Sequence, residues 1–300
     1  MRKIGYIGLG IMGKPIALNI MAGGYPIIVH NRSREVVNEL VSKGAEEAFS
    51  PKEIAEKSDI IFTNLPDSSD VDDVVFGKNG IIEGCRPNQI YVDNSTILPT
   101  ESRKIYKKLL EKGVNSLDAP VSGGDIGAIN GTLTIMVGGD DHTFREVLPV
   151  FKKIGKTITL VGSSGCGQIA KAANQIMVAA QMVAMSELLI FSQKAGADPQ
   201  KVIEAIKNGA AQCWTLDVKP QRLFNGNRDP GFKAKLQEKD LNIVMQTARE
   251  YGISLPSASL DHELYISMLQ NGLGMKDNSD IISVIEEMSH IKLLENKKTI

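Results

Sequence analysis

Apolar residues follow two different patterns along the chain. In roughly the first 160 residues, short β-branched runs alternate with segments in which apolar residues recur at helical spacing. One such segment opens with Ser50-Pro51-Lys52-Glu53, which combines an N-cap, a first-turn proline and a capping-box glutamate. Strands that alternate with helices predict crossover connections and a mainly parallel sheet. The predicted strands are Lys3–Ile7, Pro26–His30, Asp59–Asn64, Gln89–Asp93, Val114–Asp118, Leu133–Val137 and Thr157–Val161.

The rest of the chain carries helical patterns only. From Gly165 to Ala195 the sequence has no proline and is apolar around most of a helix, which predicts one long helix packed against others. Further helices are expected near residues 199–208, 216–225, 234–251, 257–271 and 277–294. The predicted fold class is therefore α/β, with a doubly wound, mainly parallel sheet over residues 1–163 and an all-α domain over residues 164–300. The long helix would lie at the junction of the two domains.

Composition excludes several classes of partner. The 300 residues include 34 Lys and Arg against 35 Asp and Glu, a net charge of −1, so no basic excess is available for nucleic acid. The cysteines Cys85, Cys166 and Cys213 are far apart and the four histidines are scattered. We therefore expect no metal site and no disulfide framework, which favours the reducing cytoplasm. No stretch approaches the roughly 18 apolar residues of a membrane span, so no membrane contact is expected.

A glycine-rich turn follows the first predicted strand and opens the first helix. In such a turn the first glycine permits a sharp bend, the second lets a pyrophosphate approach the backbone, and the third packs closely on the strand. The N–H groups at the start of the helix would bind the phosphates. An ordinary turn is the alternative, but the position between a strand and a helix favours a dinucleotide site. The motif consists of Gly8, Leu9, Gly10, Ile11, Met12 and Gly13.

The end of the second predicted strand bears on the choice of cofactor. Enzymes that use NAD carry an acidic residue here, whereas this chain reads Asn31, Arg32 and Ser33. Arg32, with its two neighbours, would bind the 2′-phosphate of NADP, so NADP is expected in preference to NAD. The alternative is that Ser33 caps the next helix while Arg32 lies in solvent.

A second turn could bind an anion. After the strand that ends at Asp118, the chain continues through Ser122, Gly123 and Gly124, whose N–H groups and hydroxyl could hold a carboxylate. By pattern alone, a purely structural turn is the simpler interpretation.

The start of the long helix carries a possible acid–base group. Lys171, Asn174 and Gln175 are spaced so that they share one helix face. A lysine among Ala and Ile near a cleft between domains would be partly desolvated, which makes its ammonium a better proton donor. A lone helical lysine is nevertheless more often a solvated charge.

Taken together, these motifs resemble the β-hydroxyacid dehydrogenase family, which includes 3-hydroxyisobutyrate dehydrogenase and tartronate semialdehyde reductase. The resemblance implies a Rossmann-type domain followed by a helical domain. It also implies NAD(P)-dependent interconversion of a small anionic semialdehyde and its 3-hydroxy acid, by a homodimer or homotetramer. The matching segments are Gly8–Asn19, Leu65-Pro66, Asp93–Thr96, Asp118–Gly124, Gly131–Gly139, Gly165–Gln175 and Lys239-Asp240-Leu241.

The resemblance further implies roles for individual residues. Gly8–Gly13 would hold the pyrophosphate, and Lys171 would be the catalytic acid–base. The residues that would line the nicotinamide side are Leu65, Pro66 and Thr96. The residues that would bind and orient the substrate are Ser122, Gly123, Gly124, Asn174 and Gln175. Lys239 would reach the cofactor and the substrate from the helical domain.

Two departures from the family pattern affect the expected specificity. Many members have two adjacent Asn residues where this chain has Asn174-Gln175, and this pair is similar to tartronate semialdehyde reductases. Asn31, however, stands where bacterial members of that subgroup have Asp. Trp214 and Phe232 are candidates for the distal end of the pocket, although Trp214 could equally serve ordinary packing.

The expected substrate is tartronate semialdehyde (2-hydroxy-3-oxopropionate). Alternatives in the same class are 3-hydroxyisobutyrate, 2-(hydroxymethyl)glutarate and succinic semialdehyde. A nucleotide-binding sensor that has lost catalysis is the alternative from a different class.

Overall fold

The chain forms two units in the computed structural model, which describes residues 2–294. The first unit extends to Lys171 and the second begins at Ala172. Each unit is described by itself.

The first unit is built on a nine-stranded sheet in the order β3-β2-β1-β4-β5-β6-β8-β7, with β9 paired to β8. Strands β1 to β6 pair in parallel, whereas β8 runs antiparallel to β6 and β7. The part from β3 to β6 has the doubly wound order of dinucleotide-binding domains, as predicted. The strands are β1 (Ile4–Ile7), β2 (Ile27–His30), β3 (Glu46–Glu47), β4 (Ile60–Thr63), β5 (Ile90–Asp93), β6 (Asn115–Asp118), β7 (Val121–Ser122), β8 (Leu133–Gly138) and β9 (Gly155–Gly162).

Helices cover both faces of this sheet. Along β4, Ile60 and Phe62 belong to one buried apolar cluster and Ile61 belongs to the other, so successive side chains enter opposite layers. The predicted capping of α3 is present, because the Glu53 N–H donates to the Ser50 hydroxyl at 3.1 Å. The helices are α1 (Gly13–Ala22), α2 (Arg34–Val41), α3 (Pro51–Lys57), α4 (Ser68–Phe76), α5 (Ile81–Gly84), α6 (Pro99–Leu110), α7 (Gly124–Asn130) and α8 (Asp141–Ile154).

The described part of the second unit is helical, as predicted. The helix expected near 216–225 forms two helices, because Pro220 has no N–H to continue the first one and starts the second. The segment expected near 277–294 forms a 3₁₀ helix (Asn278–Ile281) and then α15. The helices, the first of which starts within the first unit, are α9 (Cys166–Lys194), α10 (Pro199–Ile206), α11 (Trp214–Val218), α12 (Pro220–Phe224), α13 (Ala234–Tyr251), α14 (Pro256–Gln270) and α15 (Ile282–Ser289).

Helix α9 departs from the expectation that no segment could span a membrane. Over an 18-residue window its mean hydropathy is 1.5, so by length and composition it could cross one. Half of that window is buried inside the protein, which is typical of a core helix. Met182, Met185 and Leu189 of α9 pack there with Tyr265 and Met268 of α14.

Candidate active site

The glycine-rich turn has the geometry that a dinucleotide requires. Gly8 has a φ of +96°, and a Cβ on it would lie 2.2 Å from the Asn64 carbonyl oxygen. A Cβ on Gly13 would lie 1.9 Å from the Gly8 oxygen, whereas one on Gly10 would meet nothing within 4 Å. The chain's own packing thus requires the outer two glycines, and open space lies beside the middle one. No side chain caps α1 at Met12, so N–H groups at the start of the helix can donate to phosphate oxygens.

The end of β2 is joined to this turn. The Leu9 N–H donates to Asn31 Oδ1 at 3.0 Å, and Asn31 Nδ2 donates to the Ser33 carbonyl at 3.2 Å. The Arg32 side chain is 86% exposed, with its guanidinium 3.7 Å from Asp70 Oδ1. Ser33 occupies the N-cap position of α2 without a side-chain capping bond. Arg32 is therefore free to turn toward a phosphate, and Asn31 shapes the turn that would hold the cofactor.

The loops after β4 and β5 are tied together by a buried serine. The Leu65 N–H donates to Ser95 Oγ at 2.8 Å, and the Ser95 N–H donates to Asp93 Oδ1 at 3.0 Å. Burial raises the pKa of the Asp93 carboxyl, although hydrogen bonds from Ser95 and Thr63 oppose the shift. The connection fixes the two segments that carry Leu65-Pro66 and Thr96, which were predicted to line the nicotinamide.

The Ser122 turn has a backbone that glycine alone adopts easily. Gly123 has a φ of +134° and Gly124 a φ of +64°. A Cβ on Gly124 would meet nothing within 4 Å, so space lies open beside its backbone. The turn thus leaves room for an anion at its N–H groups.

The start of helix α9 is hydrogen-bonded to Asp118, the last residue of β6. Asp118 Oδ1 accepts from the Gly165 N–H at 2.7 Å, and Oδ2 accepts from the Gln168 N–H at 2.9 Å. Burial raises the pKa of the Asp118 carboxyl, although these N–H groups act in the opposite direction. Lys171 follows one turn later and is only 6% exposed. This burial disfavours the interpretation of Lys171 as a solvated charge.

A row of hydrogen bonds in the second unit joins three of the predicted residues through one that the prediction missed. Asn174 Nδ2 donates to Gln175 Oε1 at 2.7 Å, and Gln175 Nε2 donates to Asp240 Oδ2 at 2.6 Å. The Lys239 ammonium lies 2.9 Å from Asp240 Oδ1. Asp240 is 3% exposed and is the acceptor that orders the row. Its place in the Lys239-Asp240-Leu241 segment was the available sequence signal.

The structure also bears on Trp214 and on the possible metal ligands. Trp214, at the start of α11, is 56% exposed and so is not an ordinary packing residue of this unit's core. Among residues 2–294, no group of three or more His, Cys, Asp or Glu side chains is arranged to hold a metal ion.

Comparisons with known proteins agree with the fold and the motifs. A family model described as the NAD binding domain of 6-phosphogluconate dehydrogenase matches residues 3–162. A second, described as NAD-binding of NADP-dependent 3-hydroxyisobutyrate dehydrogenase, matches residues 165–285. The chain is 43% identical over 291 residues to 2-hydroxy-3-oxopropionate reductase of Escherichia coli strain K12, covering 97% of this chain and 99% of the relative.

Solved structures show the same similarity. A Mycobacterium tuberculosis 3-hydroxyisobutyrate dehydrogenase with L-serine superposes with a TM-score of 0.88 at 28% identity, covering 95% of this chain and 99% of that one. The protein Psf3 in complex with NADP+ and 2-OPP gives a TM-score of 0.86 at 25% identity, covering 94% and 99%.

Proposed function

The chain belongs to the 3-hydroxyisobutyrate dehydrogenase family of β-hydroxyacid dehydrogenases, and we propose that it interconverts tartronate semialdehyde and glycerate. As a member, it is an NAD(P)-dependent oxidoreductase that acts on a CH–OH group. The observation that carries the choice of substrate is the 43% identity to a 2-hydroxy-3-oxopropionate reductase over 97% of this chain. The Asn174-Gln175 pair, held by Asp240, supports the same choice.

The first unit would bind the cofactor. The turn Gly8–Gly13 offers uncapped N–H groups and open space at Gly10 for the pyrophosphate. Leu65-Pro66 and Thr96, joined through Ser95, would contact the nicotinamide side. The bound nicotinamide supplies or accepts the hydride.

The Ser122 turn would bind the carboxylate end of the substrate, and Lys171 would act at its aldehyde end. The N–H groups of Gly123 and Gly124 and the Ser122 hydroxyl would bind the substrate carboxylate, for which the open side of the turn leaves room. The Lys171 ammonium would donate a proton to the aldehyde oxygen as the carbonyl carbon is reduced, and the amine would take it back in the reverse direction. Its 6% exposure limits competing hydration of the ammonium.

The amide row would orient the substrate's 2-hydroxyl. Because Asp240 can only accept from Gln175, the amide oxygen of Gln175 faces Asn174, which in turn must donate with its amide nitrogen. The Asn174 oxygen is thereby left as an acceptor whose orientation is fixed. An acceptor of this kind favours a substrate with a hydroxyl over one with a methyl at the same carbon, as in 3-hydroxyisobutyrate. Lys239, also held by Asp240, would contact cofactor and substrate.

We further propose that NADP is preferred to NAD. The end of β2 has no carboxylate to repel a 2′-phosphate, and Arg32 is exposed and can offer a planar, charge-assisted contact. The competing pairing with Asp70 is long, at 3.7 Å, and therefore weak.

The broader expectations also remain proposals. We propose a cytoplasmic homodimer or homotetramer, in which residues 1–163 bind the cofactor and residues 164–300 bind the substrate and the other subunits. Met177 and Phe191 of α9 are 58% and 74% exposed, which supports contact between subunits through this helix.

A substrate panel tests the proposed function. The test measures kcat/KM with each cofactor. Reduction is followed for tartronate semialdehyde and succinic semialdehyde, and oxidation is followed for 3-hydroxyisobutyrate and 2-(hydroxymethyl)glutarate. We expect the highest value for tartronate semialdehyde with NADPH. A higher value for 3-hydroxyisobutyrate would refute the proposed role of the Asn174 oxygen. Absence of turnover with every compound would support the non-catalytic alternative.

A further inference from the structure

The first turn of α9 is fastened to the loop after β5 by one buried side chain. Gln168 is 1% exposed. Its Oε1 accepts from the Ile97 N–H at 3.1 Å, and its Nε2 donates to the Ser95 carbonyl at 2.8 Å. These two backbone groups stand on either side of Thr96. Gln168 therefore bridges the segment expected to contact the nicotinamide.

The bridge extends in both directions. Ser95 Oγ accepts from the Leu65 N–H, so the same connection includes the loop after β4. On the other side, Lys171 follows Gln168 by three residues, which is nearly one turn or about 4.5 Å along the helix. A shift of Gln168 would thus displace the Lys171 ammonium relative to the loops after β4 and β5.

The packing leaves little room for the helix to settle elsewhere. A Cβ on Gly167 would lie 2.5 Å from the Met136 oxygen and 2.6 Å from the Asp118 oxygen. A Cβ on Gly138 would lie 2.7 Å from the Gly167 nitrogen. Backbone contacts and the Asp118 carboxylate therefore set the depth of the helix start. Gln168 connects this start to the Thr96 segment by side-chain hydrogen bonds.

We propose that Gln168 is a positioning residue, which holds the proton donor Lys171 at a fixed place relative to the nicotinamide-binding loops. The proposal rests on the proposed function in taking Lys171 as that donor. Gln168 itself touches neither substrate nor cofactor in this scheme. Its contribution is geometric, so its loss lowers the rate of the chemical step and leaves ground-state binding largely unchanged.

The chain offers a matched control for this residue. Gln89 is also a buried glutamine, 2% exposed, and donates to the carbonyl oxygens of Ala55 and Ser58 at 2.6 and 2.7 Å. Its amide oxygen accepts from the Arg86 N–H. Gln168→Met and Gln89→Met each remove buried amide hydrogen bonds while keeping the length of the side chain. Comparing the two variants distinguishes an effect of lower stability from an effect of a misplaced Lys171.

The kinetic test compares these two variants. We expect Gln168→Met to lower kcat by about 10- to 100-fold, as for a small misplacement of a catalytic group, while KM and NADPH affinity change less than about threefold. We expect Gln89→Met to keep kcat within about twofold at a similar loss of Tm. The proposal is overturned if Gln168→Met keeps more than about a third of the wild-type kcat, or if both variants lose activity equally.

A conservative variant adds a pH-dependent readout. In Gln168→Glu the introduced carboxylate can accept from Ile97 but cannot donate to the Ser95 carbonyl unless it is protonated. Burial raises the pKa of such a carboxyl, so we expect its kcat, relative to wild type, to rise as pH falls from about 8 to about 5. The ratio for Gln168→Met should stay flat. A flat ratio for Gln168→Glu contradicts the proposal.

A final measurement needs no substrate. Amide hydrogen exchange is followed over residues 95–98 and 166–172 with and without NADPH. We expect NADPH to slow exchange in both segments of the wild type and of Gln89→Met, but only in residues 95–98 of Gln168→Met. Equal protection of both segments in Gln168→Met overturns the proposal. Failure of the wild type to turn over any semialdehyde overturns the proposed function instead, and the exchange result still decides the role of Gln168.

Discussion

Replacing Lys219 with Met should destabilise the second unit more than any exposed lysine substitution. The Lys219 ammonium lies 2.7 Å from Asp277 Oδ1, and the two side chains are 6% and 0% exposed. Asp277 also accepts from the N–H groups of Gly231, Phe232 and Ser279 at 2.9 to 3.2 Å. Removal of the lysine leaves these contacts but strands a buried negative charge, which costs about 3–5 kcal/mol.

The magnitude can be measured by thermal and urea unfolding. For a unit of this size, 1 kcal/mol corresponds to about 4 °C, so Lys219→Met should lower the Tm by roughly 12–20 °C. The matched control is Lys104→Met, which removes an ammonium 49% exposed that pairs with Asp72 and Glu101. Such an exposed lysine contributes at most about 1 kcal/mol.

The loss of stability in Lys219→Met should also depend on pH, and it should become smaller as the pH falls. Burial alone would raise the pKa of the Asp277 carboxyl, but Lys219 and the Ser279 hydrogen bonds hold it below its usual value. In the wild type this carboxylate therefore stabilises the fold above the unfolded pKa, and the contribution disappears as pH falls through the folded pKa. Without Lys219, the effect of burial on the pKa of Asp277 is the larger one, so the carboxylate is protonated more readily at acid pH and its unpaired negative charge is removed. The gap in stability between wild type and Lys219→Met should narrow from pH 7 to about pH 4. A gap that stays constant or widens refutes this reasoning.

Three further outcomes follow from the proposed site. Lys171→Ala should lower kcat by about 10²–10⁴-fold with little change in NADPH affinity, and retention of a third of the wild-type kcat in steady-state assays would contradict proton transfer by this residue. Arg32→Ala should raise the KM for NADPH by about tenfold and leave NADH kinetics nearly unchanged, whereas better turnover with NADH by the unmutated protein would contradict the proposed 2′-phosphate contact. Light scattering should give a mass of two or four chains of 32.5 kDa, and a single-chain mass at micromolar concentration would count against the proposed assembly.

The fold was predictable because its determinants are local. β-branched runs place each long strand to within two residues, and the glycine turn marks the crossover from β1 to α1. The two strands that the prediction missed, Glu46–Glu47 and Val121–Ser122, have two residues each, too few for an alternating pattern. For α9, composition cannot distinguish a core helix from a membrane span, because both are apolar all round. Only tertiary burial separates them.

The connections within the site were less predictable than its residues. Glycines and a lysine at set spacings can be read from the chain, but Gln168 meets partners 71 and 73 residues away, and Gln175 meets one 65 residues away. Neither contact leaves a pattern in the sequence, because a polar residue on a helix is ordinarily solvated. The bonds form only when the packed strands carry the partners to the helix.

A common physical device underlies both connections. The side-chain amides of Gln168 and Gln175 each have a nitrogen that donates and an oxygen that accepts, and either atom can face a given side. The orientation of the amide is fixed only when one neighbour can solely accept or solely donate. Asp240 can only accept from Gln175, and the Ser95 carbonyl can only accept from Gln168. Each such acceptor fixes one end of an amide and thereby directs the other end, toward Asn174 in one case and the Ile97 N–H in the other. Replacing either amide with a carboxylate therefore removes the donor that fixes the orientation of the group, as well as one hydrogen bond. Protonation restores a donor, so the pH response of Gln168→Glu is a sharper test than loss of activity alone.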